Sequence, residues 1–254
     1  MSTSATLPLR VALVGNPNSG KTALFNQLTG SRQKVANYTG VTVERKEGRM
    51  RAPSGREFAV LDLPGAYSLR PASLDEAITR DLCRGFYPGE AAPDVLLCVI
   101  DATNLRLHLR FALELRELGR PMVVALNMVD AAERRGIRID VAALEKALGV
   151  PVVETVAVRR NGARALVERL DAMVPHLAAP VATPAAEEDY HAQVRGILTA
   201  SVSMPTRTAK IDDVLDRWLL HPVVGLATLV VVMFLIFQAV FAWATPMMDG
   251  IEAL

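Results

Sequence analysis

Eight residues carry the strongest chemistry in this chain: Gly15, Asn16, Pro17, Asn18, Ser19, Gly20, Lys21 and Thr22. They fit the phosphate-loop pattern G-x-x-x-x-G-K-[ST] at every position. Backbone N–H groups of such a loop point inward and cradle phosphates, and the helix that follows adds unpaired donors and a partial positive charge. In this pattern Lys21 reaches the β- and γ-phosphates, the Thr22 hydroxyl binds Mg²⁺, and Ala23 continues the cradle into the helix. Two further motifs lie downstream. Asp62-Leu63-Pro64-Gly65 is a D-x-x-G run about forty residues on; Asp62 would hold Mg²⁺ and the Gly65 N–H would bond the γ-phosphate. Asn127-Met128-Val129-Asp130 is an N-x-x-D run. The Asp130 carboxylate can accept from both N1–H and N2–H₂ of guanine, a pair that adenine does not offer. Asn127 would tie this loop to the phosphate loop, and Met128 would lay its apolar chain on the base.

These motifs need strands to end on. Arg10–Val14, Asp94–Asp101 and Pro121–Leu126 are short apolar runs of the kind buried in a parallel sheet. Val150–Val156 reads as a last strand, and Val156, Ala157 and Val158 after it fill the slot of a further base-binding loop, through backbone N–H groups. Val43–Met50 and Glu57–Leu61 flank a turn at Ser54-Gly55 and read as a hairpin. Helices are expected after the phosphate loop and over 74–85, 105–118, 139–148 and 163–174. Ser31–Thr42 is polar and reads as a nucleotide-sensing loop, with Thr42 a second Mg²⁺ ligand that also meets the γ-phosphate. Tyr67–Ser73 reads as a mobile loop. Ala66 stands where Ras-like proteins carry the glutamine that orients water.

The chain has 254 residues and a net charge of +1, which gives no electrostatic reason to expect nucleic acid. Cys83 and Cys98 are its two cysteines and have no metal-ligand spacing. Met1–Pro8 lacks the basic and apolar regions of a signal peptide. Proline and alanine mark a linker near 178–186; Glu187–Ser203 and Lys210–Leu220 could each form a helix. From Trp218 to Met248 no Asp, Glu, Lys or Arg occurs, enough for a membrane-spanning helix. Arg207, Lys210 and Arg217 before it leave the N-terminal part in the cytoplasm by the positive-inside rule.

The phosphate loop, the run Asn37–Gly48, the residues Asp62–Ser68, the stretch Asn127–Asp130 and the entry to the apolar span together resemble the FeoB family of bacterial ferrous-iron transporters. The resemblance covers nearly all of 10–170 and resumes at about 210–245. It implies a Ras-like P-loop GTPase domain with a mostly parallel six-stranded sheet and helices on both faces. It also implies GTP and GDP as ligands, Mg²⁺, a membrane domain that moves Fe²⁺, small accessory Feo proteins as partners, and the bacterial inner membrane as location. The expected organisation is a tail (1–8), the G domain (9–175), a linker with a reduced helical segment (176–220), a transmembrane helix (221–246) and the start of a loop (247–254), within a longer protein. Among G proteins of this type, Asn at position 18 without the glutamine implies K⁺ held by Asn18 against the phosphates. The competing reading is a soluble potassium-dependent GTPase of ribosome assembly or tRNA modification.

Overall fold

In the computed structural model, residues 8–30, 33–38, 41–176, 189–203 and 218–240 are described. The chain divides into two compact units, one to Met204 and one from Pro205.

The first unit is built on a seven-stranded sheet. Its strands are β1 (Leu9–Gly15), β2 (Gln33–Asn37), β3 (Glu44–Arg51), β4 (Glu57–Asp62), β5 (Val95–Asp101), β6 (Met122–Asn127) and β8 (Val152–Thr155), in the order β2-β3-β4-β1-β5-β6-β8. From β4 to β8 the pairings are parallel, whereas β3 runs antiparallel to β4 and β2 antiparallel to β3. Residues 11–14, 95–100 and 122–126 of the central strands are apolar throughout because both faces of the sheet are covered. Val11, Leu13, Leu97, Val99 and Val123 pack on one side with α1 (Lys21–Thr29) and α6 (Arg164–Met173). Ala12, Val14, Leu96, Cys98, Ile100 and Val124 pack on the other with α2 (Leu74–Arg84), α3 (Leu105–Arg116) and α5 (Val141–Leu148). Both cysteines are buried in that second layer, and burial pushes the Cys83 thiol up to about 12.

Four details depart from the sequence reading. The sheet has seven strands, not six. Gln33–Asn37, expected within a loop, pairs along β3 from Gln33↔Gly48 to Asn37↔Glu44. This edge strand is polar and mostly exposed, so it lacks the alternation that marks a strand. Ile139 is not helical: with Arg138 it forms β7, which pairs with β9 (Val202–Ser203), and the helix starts at Val141 with Asp140 as its N-cap. A short helix, α4 (Val129–Arg134), begins inside the N-x-x-D motif. Finally, α7 (Tyr190–Ser201) packs on the first unit, with Val194 and Ile197 in its core and the Tyr190 hydroxyl 2.6 Å from Glu117 Oε2. It was expected in a segment apart from the domain, but its apolar stripe finds a surface between α3 and α5.

In the second unit, α8 (Pro222–Gln238) is capped by the His221 side chain and carries apolar side chains on every face. Val223, Val230, Phe234 and Phe237 are all more than half exposed. Its 17 residues compare with an expected span of 221–246. Among the described residues no helix is long and apolar enough to cross a membrane. Residues 241–246 of that expected span, the linker at 178–186 and most of Lys210–Leu220 lie outside the described residues.

Candidate nucleotide site

The parallel strands end on one edge of the sheet. Leu13 is level with Asp62, Gly15 with Val99, and Asn127 with both Asp101 and Thr155. That edge, beside β1 where the chain order reverses, is where ligands bind in open α/β sheets.

The phosphate loop leaves β1 at Gly15 and enters α1 at Lys21. Asn18 sits at its tip in the left-handed region, φ 63°, a conformation asparagine tolerates. Gly20 is also left-handed, φ 86°, and a Cβ there would lie 2.2 Å from Asn127 Nδ2, so only glycine lets the two motifs meet. Asn16 and Ser19 are buried, and Asn16 Oδ1 and Ser19 Oγ have no hydrogen-bond partner among the described residues. A folded protein rarely leaves such atoms orphaned. They lie in the same loop, where the Ser19 N–H donates to Asn16 O at 3.3 Å. A polar ligand fits that deficit.

Lys21 Nζ stands 3.7 Å from Asp62 Oδ1, and both side chains are nearly enclosed. Burial pushes the Asp62 carboxyl above the usual carboxylate range, against the pull of Lys21 and Lys46. A carboxylate whose Oδ1 has no hydrogen-bond partner among the described residues, beside an exposed Thr22, suits a divalent cation, which would add to the positive charge of Lys21. Pro17 packs near Gly65, and the Ala66 N–H donates to Gly15 O at 3.3 Å, so the D-x-x-G turn lies against the phosphate loop.

At the other end of the site Asn127 is 1% exposed and uses both ends of its amide. Nδ2 donates to Ser19 O at 3.1 Å, and Oδ1 accepts from the Ala157 N–H at 3.1 Å and Thr155 Oγ at 3.3 Å. One buried side chain thus joins the phosphate loop, the N-x-x-D motif and the loop carrying Val156 and Ala157. Met128 caps α4 at φ 61° with its Cε toward Gly20. Asp130 lies in the first turn of α4. Its Oδ2 meets Arg134 Nη1 at 3.0 Å and Arg159 Nη2 at 3.6 Å. Partial desolvation opposes ionisation, but these guanidiniums outweigh it and hold the carboxyl below its ordinary range. Val158 is 83% exposed and turned outward.

The sequence reading did not single out several residues that shape this site. Tyr67–Ser73 is not left loose: Glu114, buried on α3, accepts from Ser68 Oγ at 2.8 Å and from the Leu69 N–H. Glu76 accepts from the N–H groups of Tyr67 at 3.1 Å and Ala72 at 2.8 Å. The Ser73-x-x-Glu76 spacing is a capping-box signature and could have revealed Glu76; nothing in the sequence marks Glu114. Ala66 is fully buried, its methyl in the core rather than toward the loop. Thr42 is exposed on the connection between β2 and β3, where the Tyr38 N–H donates to Val43 O at 3.0 Å; Thr39 and Gly40 lie outside the described residues.

Residues 9–170 match the family described as ferrous iron transport protein B. The Fe(2+) transporter FeoB of Salmonella typhimurium is 51% identical over 167 residues, which is 64% of this chain and 21% of that protein. The Escherichia coli K12 protein of the same name is 50% identical over the same length. This chain therefore spans about a fifth of the length of the curated relatives it matches. Among solved structures, the cytosolic domain of Legionella pneumophila FeoB superposes with a TM-score of 0.66 at 31% identity, covering 76% of this chain and 99% of that one. The Thermotoga maritima FeoB cytosolic domain in a GDP form gives 0.65 at 28%, covering 77% and 98%.

Proposed function

Because the chain belongs to the ferrous iron transport protein B family, we propose that its first unit binds and hydrolyses GTP and so regulates or drives Fe²⁺ uptake through the membrane part of a longer protein. The observation that carries the reading is Asn127, which brackets phosphate and base motifs into one cleft. The GDP named for the Thermotoga structure supports the choice of ligand.

In this reading the loop Gly15–Ala23 holds the phosphates, with Lys21 against the β- and γ-groups. Thr22, Asp62 and Thr42 would hold Mg²⁺, which neutralises charge on the phosphates. Lys21 is already placed to offset the Asp62 charge. Gly65 N–H donates to the γ-phosphate. Asp130 takes the guanine edge, Met128 covers its face, and Val156, Ala157 and Val158 present backbone to it. Alanine at 66 cannot align water, so rate rests on backbone donors and on K⁺ beside Asn18, whose exposed amide makes no hydrogen bond among the described residues. Hydrolysis by this unit alone is slow.

Helix α8 carries the link to the membrane. Large exposed apolar side chains all round a helix find no counterpart in water. We assign α8 to the first span of an inner-membrane protein, with the G domain in the cytoplasm and accessory Feo proteins as partners.

The test is a base swap. Asp130→Asn exchanges the acceptor pair for one acceptor and one donor, which matches xanthine. GDP affinity should fall and XDP affinity rise in the same variant. Loss of GDP binding with no gain for XDP would remove Asp130 from the base contact.

A further inference from the structure

Arg159 is held oddly for an exposed residue. Its backbone belongs to the tight turn 156–162, closed by hydrogen bonds from Val156 N to Gly162 O, Arg159 N to Val156 O and Gly162 N to Arg159 O, of 3.1, 2.9 and 2.9 Å. A Cβ on Gly162 would lie 2.0 Å from Val156 O, so the turn cannot loosen around a larger residue. Asn127 fixes one side of this turn through the Ala157 N–H. Gln27, on the helix that begins at the phosphate loop, fixes the other by donating from Nε2 to Arg159 O. The turn is pinned on both sides, yet the Arg159 side chain it presents is 63% exposed, and among the described residues its guanidinium meets only Asp130 Oδ2, as an ion pair at 3.6 Å rather than a hydrogen bond.

A solvent-exposed pair of that kind contributes little to stability. Its consequence lies in acceptor capacity. Asp130 has two oxygens, and guanine needs both, one for N1–H and one for N2–H₂. Arg134 from the same helix and Arg159 from the turn 156–162 both converge on Oδ2, at 3.0 and 3.6 Å. Arg134 travels with Asp130 on α4, whereas Arg159 comes from the separate, pinned turn and must share or leave the oxygen when a base arrives.

We propose that Arg159 is a specificity-determining residue of the guanine site: it competes for one oxygen of Asp130, weakening the contact to the guanine amino group and speeding nucleotide release. The proposal rests on the assignment of Asp130 to the base. Hypoxanthine keeps N1–H but has no N2 amino group, so it needs one oxygen only and should be indifferent to the competition. Discrimination between guanine and hypoxanthine nucleotides is therefore held down by Arg159.

The test measures GDP and IDP affinity, with Mg²⁺, for the full chain and for Arg159→Ala and Arg159→Lys. Arg159→Ala should tighten GDP about three- to fivefold, the scale of one exposed ion pair, and slow its release by a similar factor. IDP affinity should stay unchanged, and Arg159→Lys should fall between. Equal gains for both nucleotides, no gain for GDP, or a loss for both, as an arginine that merely shapes the loop or covers the base would give, overturns the proposal. Asp130→Asn with XDP is run alongside. If the xanthine switch appears and the GDP-to-IDP ratio does not move in Arg159→Ala, the competition alone fails. If the switch is absent, the base assignment fails and the proposal with it.

Discussion

At the scale of single residues, position 66 shows how burial decides chemistry. A glutamine introduced there would not simply restore a missing group. Ala66 is fully buried in the core cluster that also holds Leu63, Leu69 and Ile78, and its backbone N–H donates to Gly15 O of the phosphate loop. Ala66→Gln should overpack that cluster and cost about 1–3 kcal/mol, seen as a lower Tm, with no gain in GTP turnover. Asn18 is the contrasting case, exposed at the loop tip. Exchanging NaCl for KCl at constant ionic strength should raise turnover on the order of tenfold, about 1.4 kcal/mol of barrier, and Asn18→Ala should abolish that response while sparing the basal rate. Equal rates in both salts would remove the cation from the account. The motif residues were legible in the sequence because their spacing is itself the signal. Glu114, Gln27 and Arg159 were not, because each acts across a long sequence separation. Glu114 reaches Ser68 over 46 residues, and Gln27 reaches Arg159 over 132.

At the scale of elements, the loop between α2 and β5 braces the polar edge of the sheet. Glu90 Oε2 lies 2.6 Å from Arg10 Nη2 on β1, and its Oε1 lies 2.6 Å from Arg45 Nε on β3. Next to this pair Tyr38 and Tyr87 pack edge to face, with ring centroids 5.4 Å apart. Burial alone would raise the Glu90 carboxyl; hydrogen bonds from Arg45 and Arg10 overcome it and leave the folded-state value below the usual one. A carboxyl lowered on folding stabilises the fold above its unfolded-state value, and that contribution fades as pH falls through the lowered folded-state value. Glu90→Gln should therefore destabilise the protein at neutral pH by about 1–3 kcal/mol. The gap to wild type should close in acid, as chemical denaturation at a series of pH values can follow. A gap that persists unchanged at low pH would mean that shape rather than charge matters there. Most helices and the buried strands could be placed from apolar periodicity. The edge strand β2 and the short pair β7–β9 could not, since they are fixed by pairing partners and not by any pattern of their own.

At the scale of the whole molecule, a charged, well-packed α/β unit and a helix with apolar side chains on all sides share one chain. Composition alone announced this division: 51% hydrophobic residues, with the surplus beyond residue 217. Where the compact part stops was less visible, because α7 follows a proline- and alanine-rich stretch yet returns to the core of the first unit. If α8 belongs in lipid, the full chain should float with liposomes. Leu229→Lys, at the middle of the apolar stretch, should weaken that association by about 2.5–3.5 kcal/mol without changing GDP affinity. Flotation that is indifferent to this lysine would place the membrane contact elsewhere.

The central claim is that one cleft, closed by Asn127 and lined by Lys21, Asp62 and Asp130, turns over guanine nucleotides. It is tested most directly by single-turnover hydrolysis of GTP and of ATP by this chain with Mg²⁺, side by side with Lys21→Ala. The account predicts slow GTP cleavage that needs Mg²⁺ and Lys21, and no ATP cleavage under the same conditions. ATP cleaved as readily as GTP, or GTP cleavage that survives Lys21→Ala, would contradict it.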